Sequence, residues 1–258
     1  LRWFDLVSRP HGIVLVTGPT GSGKSTTLYA SLKQIVTGEV KAITVEDPVE
    51  YHVSGVNQIQ VNHQVGLDFA AGLRAILRHD PDIIMIGEIR DAETANAAVQ
   101  APLTGHLVLS TMHTNDSCGA ATRLLDMGVE PFLVASTVEG VLAQRLLRRV
   151  CRSCSVARAP RDGELPPDFY PGEDGLVAES VGCRDCRGSG FRGRIGCYEL
   201  LVVDELSRAE IMKRASSRAV EAAARIGSNL TALRESSAEL VARRVTTASE
   251  ALAAVKTA

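Results

Sequence analysis

An α/β fold built on a mostly parallel sheet is predicted for this 258-residue chain by two observations, its pattern and its composition. Over the first 150 residues, short β-branched apolar runs alternate with longer stretches of helical pattern. Apolar strands with helices between them read as a sheet covered on both faces. A hydrophobic content of 45% beside 22% charged residues supplies a full core, and with aromatics at only 4% it must be filled by aliphatic side chains.

The elements follow in order. Ile13–Thr17 is the first strand and Lys24–Val36 the first helix, joined by a glycine-rich loop. Ala42–Glu46 is a strand ending on the acidic run Glu46-Asp47-Pro48-Val49-Glu50. Asn57–Val61 is the next strand, with a helix over Asp68–Arg78. Ile83–Ile86 is an apolar strand running into Gly87-Glu88, with a helix over Ala92–Ala101. Leu107–Ser110 runs into Thr111-Met112-His113, and helices are expected over Asp116–Met127 and Pro131–Arg149. From Cys151 the texture changes. Ala157–Gly175, with four prolines and several acids, reads as a surface loop, and Gly182–Gly196 is rich in Gly and Arg. An apolar stretch, Cys197–Val203, precedes short amphipathic helices from Asp204 onward. The expected organisation is an α/β core over residues 1–150, a cysteine-bearing module over 151–196 and a helical region over 197–258.

The formal net charge of -2 gives no global reason to bind nucleic acid or a membrane surface. No apolar run reaches the roughly eighteen residues of a spanning helix, and no signal peptide opens the chain, so a cytoplasmic protein is expected. Leu1 stands where a start Met would, close before the glycine-rich loop, and a piece of a longer protein is expected.

Gly18-Pro19-Thr20-Gly21-Ser22-Gly23-Lys24-Ser25 fits G-x-x-x-x-G-K-[ST], after a strand and before a helix as that motif requires. The glycines let backbone N–H groups face a phosphate chain, and the helix N-terminus adds a favourable dipole. Lys24 is expected to reach the β- and γ-phosphates and Ser25 to complete the shell of a magnesium ion, with Thr26 beside them. The substrate is read as ATP, although the loop does not specify the base.

Water activation needs a carboxylate at the same sheet edge. Glu88, at the end of Ile83–Ile86, can orient the attacking water, and Glu46 ends a second strand at that edge. Taken singly, each reads first as a solvated loop charge; two strand-ending acids beside one phosphate loop favour function. His113, after Leu107–Ser110, and His106, just before it, can sense the γ-phosphate or sit hydrogen-bonded in a polar edge. Chemistry alone leaves both readings open.

Cys151-Arg152-Ser153-Cys154 and Cys183-Arg184-Asp185-Cys186 are two C-x-x-C knuckles with 28 residues between them. Two knuckles close a tetrahedral Cys₄ zinc site, and no histidine or acid leaves a coordination position open, so the metal is read as structural. A redox pair or unligated thiols is the other use of such spacing. Cys118 and Cys197 stand alone and read as buried small hydrophobes.

Together these segments resemble the type II secretion ATPase family and its relatives, the type IV pilus assembly ATPases. RPHGIVLVTGPTGSGKSTTLYA is similar to the family's Walker A segment, ITVEDPVEY to its aspartate box, DIIMIGEIRDAETA to its Walker B and TGHLVLSTMHTNDS to its histidine box. GCRDCRGSGFRGRIGCYELL resembles the second half of its cysteine module. The resemblance implies a RecA-like P-loop NTPase core with an inserted tetracysteine zinc module and a C-terminal helical region. It makes Lys24 and Ser25 ligands of phosphate and Mg2+, Glu88 the catalytic base, and Glu46 a helper in positioning magnesium or water, with Glu50 a weaker partner. His106 and His113 become nucleotide-site residues, and Cys151, Cys154, Cys183 and Cys186 ligands of Zn2+. It further implies a homo-oligomeric ring, usually a hexamer, on inner-membrane secretion platform proteins, driving pseudopilus assembly. An upstream domain would supply arginines to the nucleotide, so this portion alone is expected to bind ATP and hydrolyse it weakly. A retraction motor fits less well, since that branch lacks the cysteine pairs. Pro102 departs from the family pattern and is expected to end the preceding helix early.

Overall fold

The computed structural model describes residues 2–256, which form two compact units. One comprises Leu1–Ala143 with Leu200–Leu230, the other Gln144–Glu199 with Thr231–Ala258. The C-terminal helices are thus divided between the two units, where the sequence reading groups them as one region.

The first unit opens with α1 (Arg2–Val7), β1 (Gly12–Thr17) and α2 (Lys24–Ile35). Next come β2 (Ala42–Glu46), β3 (Val56–Gln60), α3 (Phe69–Ile76), β4 (Ile83–Ile86) and α4 (Ala92–Gln100). β5 (Leu107–Met112), α5 (Ser117–Asp126), α6 (Pro131–Thr137) and the start of β6 (Val138–Val150) follow. The end of β9 (Phe191–Val202), α7 (Glu205–Met212), α8 (Ser217–Ile226) and the start of β10 (Leu230–Thr231) complete it. The sheet runs β10-β9-β6-β1-β5-β4-β2-β3, and β1 pairs in parallel with β5 and β6. β4 is parallel to both β5 and β2, and β2 to β3. Because these strands are parallel, their carboxyl ends gather at one edge. That edge receives the loops after β1, β2, β4 and β5.

Burial on both faces explains why β1 is apolar throughout. Ile13 and Leu15 pack with Leu73, Ile76, Ala95 and Leu124 of α3, α4 and α5. Val14 and Val16 point the other way, into Leu6, Leu28 and Leu32 of α1 and α2. Side chains of this size contribute about 1.5–3 kcal/mol each when fully buried. The helices after β4 and β5 are started by side-chain caps: Asp91 accepts from Thr94 N–H at 2.8 Å and Asp116 from Gly119 N–H at 2.6 Å. α4 stops at Gln100 and continues as a short 3-10 turn through Pro102, the early ending expected there.

One expected element is different. The helix predicted over 131–149 ends at Thr137, and Val138–Val150 is a strand in register with β1 through Val14↔Gly140 and Val16↔Leu142. Every residue from Val138 to Arg145 is buried, and burial on both faces removes the alternation that would separate this strand from a buried helix. Val138 and Val141 favour the strand, and Gly140 leaves room for the Leu201 carbonyl oxygen, which a Cβ there would meet at 3.1 Å.

The second unit holds the remainder of β6 and β9, the antiparallel pair β7 (Ser155–Arg158) and β8 (Val177–Ser180), α9 (Leu233–Ala242) and α10 (Ala248–Lys256). Its core is small: Leu147, Phe169, Val177, Cys197, Leu233 and Val241 are among its buried members. Phe169 lies in the segment expected to be a plain surface loop. Arg158 fixes that segment with two 2.7 Å bonds to Glu164 and one of 2.8 Å to Glu179. The Arg158 guanidinium lowers the Glu164 carboxyl to about 2.

Candidate functional site

The loop after β1 carries the phosphate motif. Gly23 caps α2 in the left-handed region at φ 89°, and Gly21 has φ 78°. A side chain is strained at both, so glycine here permits a turn that a Cβ would oppose. Lys24 is 9% exposed and folds back over the loop, donating to the Gly18 carbonyl at 2.9 Å and to that of Pro19 at 3.2 Å. Pro19, Thr20, Gly21 and Thr26 are exposed, Gly18 and Ser22 are buried, and Ser25 is half-buried. A buried ammonium held by carbonyl oxygens around open loop backbone is a cradle suited to an anion.

Glu88 follows β4 at the same edge and is 9% exposed. Its Oε1 is 2.5 Å from Nη2 of Arg90, and its Oε2 lies 3.3 Å from Nε2 of His113. The His113 contact is an ion-pair distance without hydrogen-bond alignment, so the buried Oε2 keeps an unmet acceptor. A buried carboxylate oxygen in that state fits a role toward water or a metal-bound ligand. β5 holds the end of β4 in place, with Thr111 Oγ1 donating to the Gly87 carbonyl at 2.7 Å and Ser110 Oγ to that of Ile86 at 2.8 Å. Thr17, the last residue of β1, accepts from Thr114 N–H at 2.8 Å, and its Oγ1 lies 2.7 Å from the Thr114 hydroxyl.

Glu46 closes β2 beside this edge, where a Cβ on Gly87 would stand 3.4 Å from the Glu46 Cα. The carboxylate is 3% exposed and both oxygens are engaged: Tyr29 donates to Oε2, while Thr44 and Gln58 (3.0 Å) donate to Oε1. Glu50 meets the same cluster through its backbone, its N–H donating to Tyr29 Oη at 3.3 Å. Tyr29 and Gln58 escape a sequence reading. The one available signal is that Tyr29 lies one helical turn beyond Ser25.

His106 needs correction. It precedes β5, so it lies at the opposite end of that strand from His113, roughly 22–24 Å away along the strand. There its Nδ1 is 2.9 Å from the Ala101 carbonyl oxygen and from Thr104 Oγ1, and its own carbonyl accepts from Gly12 N–H. Within one chain it is not brought to the phosphate loop.

In the second unit the four knuckle cysteines converge. Their Sγ atoms all lie within 4.8 Å of one another, with Cys151–Cys183 at 3.9 Å and Cys154–Cys186 and Cys183–Cys186 each at 3.8 Å. Tetrahedral Zn–S bonds of about 2.3 Å set sulfurs about 3.8 Å apart. A disulfide needs about 2.05 Å, so the spacing suits an ion. Backbone N–H groups of Cys183 and Gly190 donate to Cys186 Sγ at 3.1 and 3.2 Å, and Gly182 to Cys154 Sγ at 3.3 Å. Against the cost of burial, the Cys183 and Gly190 donors bring the Cys186 thiol down to about 6, while burial pushes Cys154 up to about 12. The donor set fits a thiophilic cation.

Among the described residues no helix is long and apolar enough to cross a membrane. A type II secretion system ATPase E of Vibrio cholerae is 53% identical over 84% of this chain and 43% of its own length. A type II secretion system protein E of Pectobacterium carotovorum is 49% identical over 98% of this chain and 50% of its own. The chain thus spans about half the length of the curated relatives it matches. The crystal structure of the pilus retraction motor PilT with bound ADP is similar at TM-score 0.73 and 28% identity, over 98% of this chain and 64% of that one. The Legionella pneumophila ATPase DotB is similar at TM-score 0.71 and 25% identity, over 100% of this chain and 63% of that one. The family profile described as Type II/IV secretion system protein matches residues 2–253, and a chain matched over that extent, on a parallel sheet with the phosphate loop at its carboxyl edge, belongs to that family.

Proposed function

We propose that the chain is the ATP-hydrolysing motor portion of a type II secretion system. The observation that carries this reading is the buried Oε2 of Glu88, with its unmet acceptor, on the sheet edge that bears Lys24 and its glycine loop. Loop N–H groups and Lys24 bind the β- and γ-phosphates of ATP, and Ser25 supports the metal. A magnesium ion held there would supply neutralising charge for the phosphate oxygens. Glu88 orients a water in line with the γ-phosphorus and accepts its proton as the bond to ADP breaks; Arg90 and His113 hold the carboxylate. Glu46 acts on the hydrated metal, and Glu50 contributes little beyond the backbone bond that supports Tyr29. Cys151, Cys154, Cys183 and Cys186 hold a structural Zn2+ that stabilises the second unit. The working form is a cytoplasmic homo-oligomeric ring, a hexamer, docked on inner-membrane platform proteins, and it does not act on nucleic acid. His106 takes part through hydrogen bonding at the far edge of the sheet and not through the nucleotide of its own chain.

Steady-state turnover with Mg2+ tests the reading, in this portion and in the longer oligomeric protein. Glu88→Gln is expected to lower turnover about 10²–10⁴-fold with ATP binding retained. Unchanged turnover in Glu88→Gln would refute the base assignment. ATP binding without turnover in either form would favour a nucleotide-gated docking module.

A further inference from the structure

We propose that Tyr29 is a positioning residue of the phosphate site, acting through Glu46: its hydroxyl fixes the carboxylate in the orientation that serves hydrated magnesium. This rests on the reading of the chain as a magnesium-dependent ATPase. A buried carboxylate is tolerated only when donors surround it, and Glu46 draws one donor from each of three elements. Thr44 lies on β2 and Gln58 on β3, so both move with the sheet. Tyr29 lies on α2, the helix that begins with Lys24 and Ser25. It stands four residues after Ser25, on the same helical face. The phenol therefore ties the orientation of Glu46 to the helix carrying the phosphate and metal ligands.

The hydroxyl is used in both directions. It donates to Glu46 and accepts from Glu50 N–H, which leaves it no freedom to turn away. The ring packs 4.3 Å from that of Tyr51, centroid to centroid, and a phenylalanine would keep that contact and lose only the hydroxyl. Removing the hydroxyl leaves Oε2 without its donor.

The test uses the full-length oligomeric protein with Tyr29→Phe, Glu46→Gln and the double variant. Binding of a fluorescent ATP analogue is measured across a magnesium titration, beside turnover. In Tyr29→Phe the Mg2+ concentration for half-maximal binding is expected to rise about 10–100-fold, as for other partners of metal-site ligands, while metal-free affinity stays at the wild-type value. The double variant is expected to match Glu46→Gln, since the hydroxyl acts through that carboxylate. A merely structural tyrosine would lower the melting temperature and leave the magnesium requirement alone. An unchanged requirement, or losses that multiply in the double variant, would overturn the proposal. Should Tyr29→Phe fail to fold, Gln58→Ala removes a donor from the same carboxylate, and a smaller rise of the same kind is expected; no rise counts against the proposal. A wild type that binds with magnesium but never turns over would sink the hydrolysis reading and leave this binding comparison intact.

Discussion

In the first unit, Val14, Leu15 and Val16 are fully buried between two helical layers, and the proposed nucleotide-site residues lie at strand ends and in the first turn of α2, at the edge of that sheet. In the second unit a handful of apolar side chains form the core, and much of the remaining order lies in the four-sulfur cluster and the Arg158, Glu164 and Glu179 pairs. The first unit separates stability from chemistry, because strand interiors do the one and strand ends the other. In the second the candidate ligand set is itself a large part of the structure. The same kind of substitution at a site residue should therefore have opposite consequences in the two units.

The largest expected effect breaks the comparison at the cysteines. Structural zinc contributes about 10–16 kcal/mol to small zinc domains at neutral pH, so Cys183→Ser should unfold Cys151–Gly190. Hydrogen exchange is expected to show protection lost there and kept in β1 and β5, with bound zinc falling to nil by elemental analysis. Protection retained in Cys151–Gly190 would mean that the second unit is held by its small core after all. A smaller effect separates the two histidines. His113→Ala removes the neighbour of Glu88 Oε2 and is expected to lower turnover about tenfold, on the scale of a positioning contact. His106→Ala, at the far edge, should leave magnesium-dependent nucleotide binding unchanged and cost only stability. The reverse pattern would mean that His106 reaches a nucleotide held elsewhere than in its own chain.

The smallest effect concerns acid. The folded Glu164 carboxyl is depressed to about 2 from an ordinary 4.5, so its contribution is present above about pH 4.5 and lost as pH falls toward 2. Arg158→Met should lower the melting temperature by about 2–4 °C at pH 7, with the difference from wild type closing below pH 3. A constant difference across that range would assign the effect to packing.

Much of this arrangement is legible in the order of the amino acids. The spacing from Gly18 to Ser25 demands a strand before it and a helix after it, and the four cysteines declare their own pairing in space. Glu88 is readable because an apolar run ending in an acid places that acid at a strand end. The strand over Val138–Val150 is not, since burial on both faces removes the alternation that separates strand from helix. The place of His106 is legible in part: it precedes the strand that His113 follows, so the two flank it, and only the resemblance to a histidine box groups them at one site. Tyr29 and Gln58 stay invisible because Glu46 gathers them from a helix and a neighbouring strand.

The Thr17 hydroxyl, shared with Thr114, makes one mechanical body of the residue before the phosphate loop and the residue after His113. A shift of either segment would draw the other with it through these two bonds, without travelling through the core. Valine at this position would remove both bonds and free the start of the segment after His113 from the end of β1.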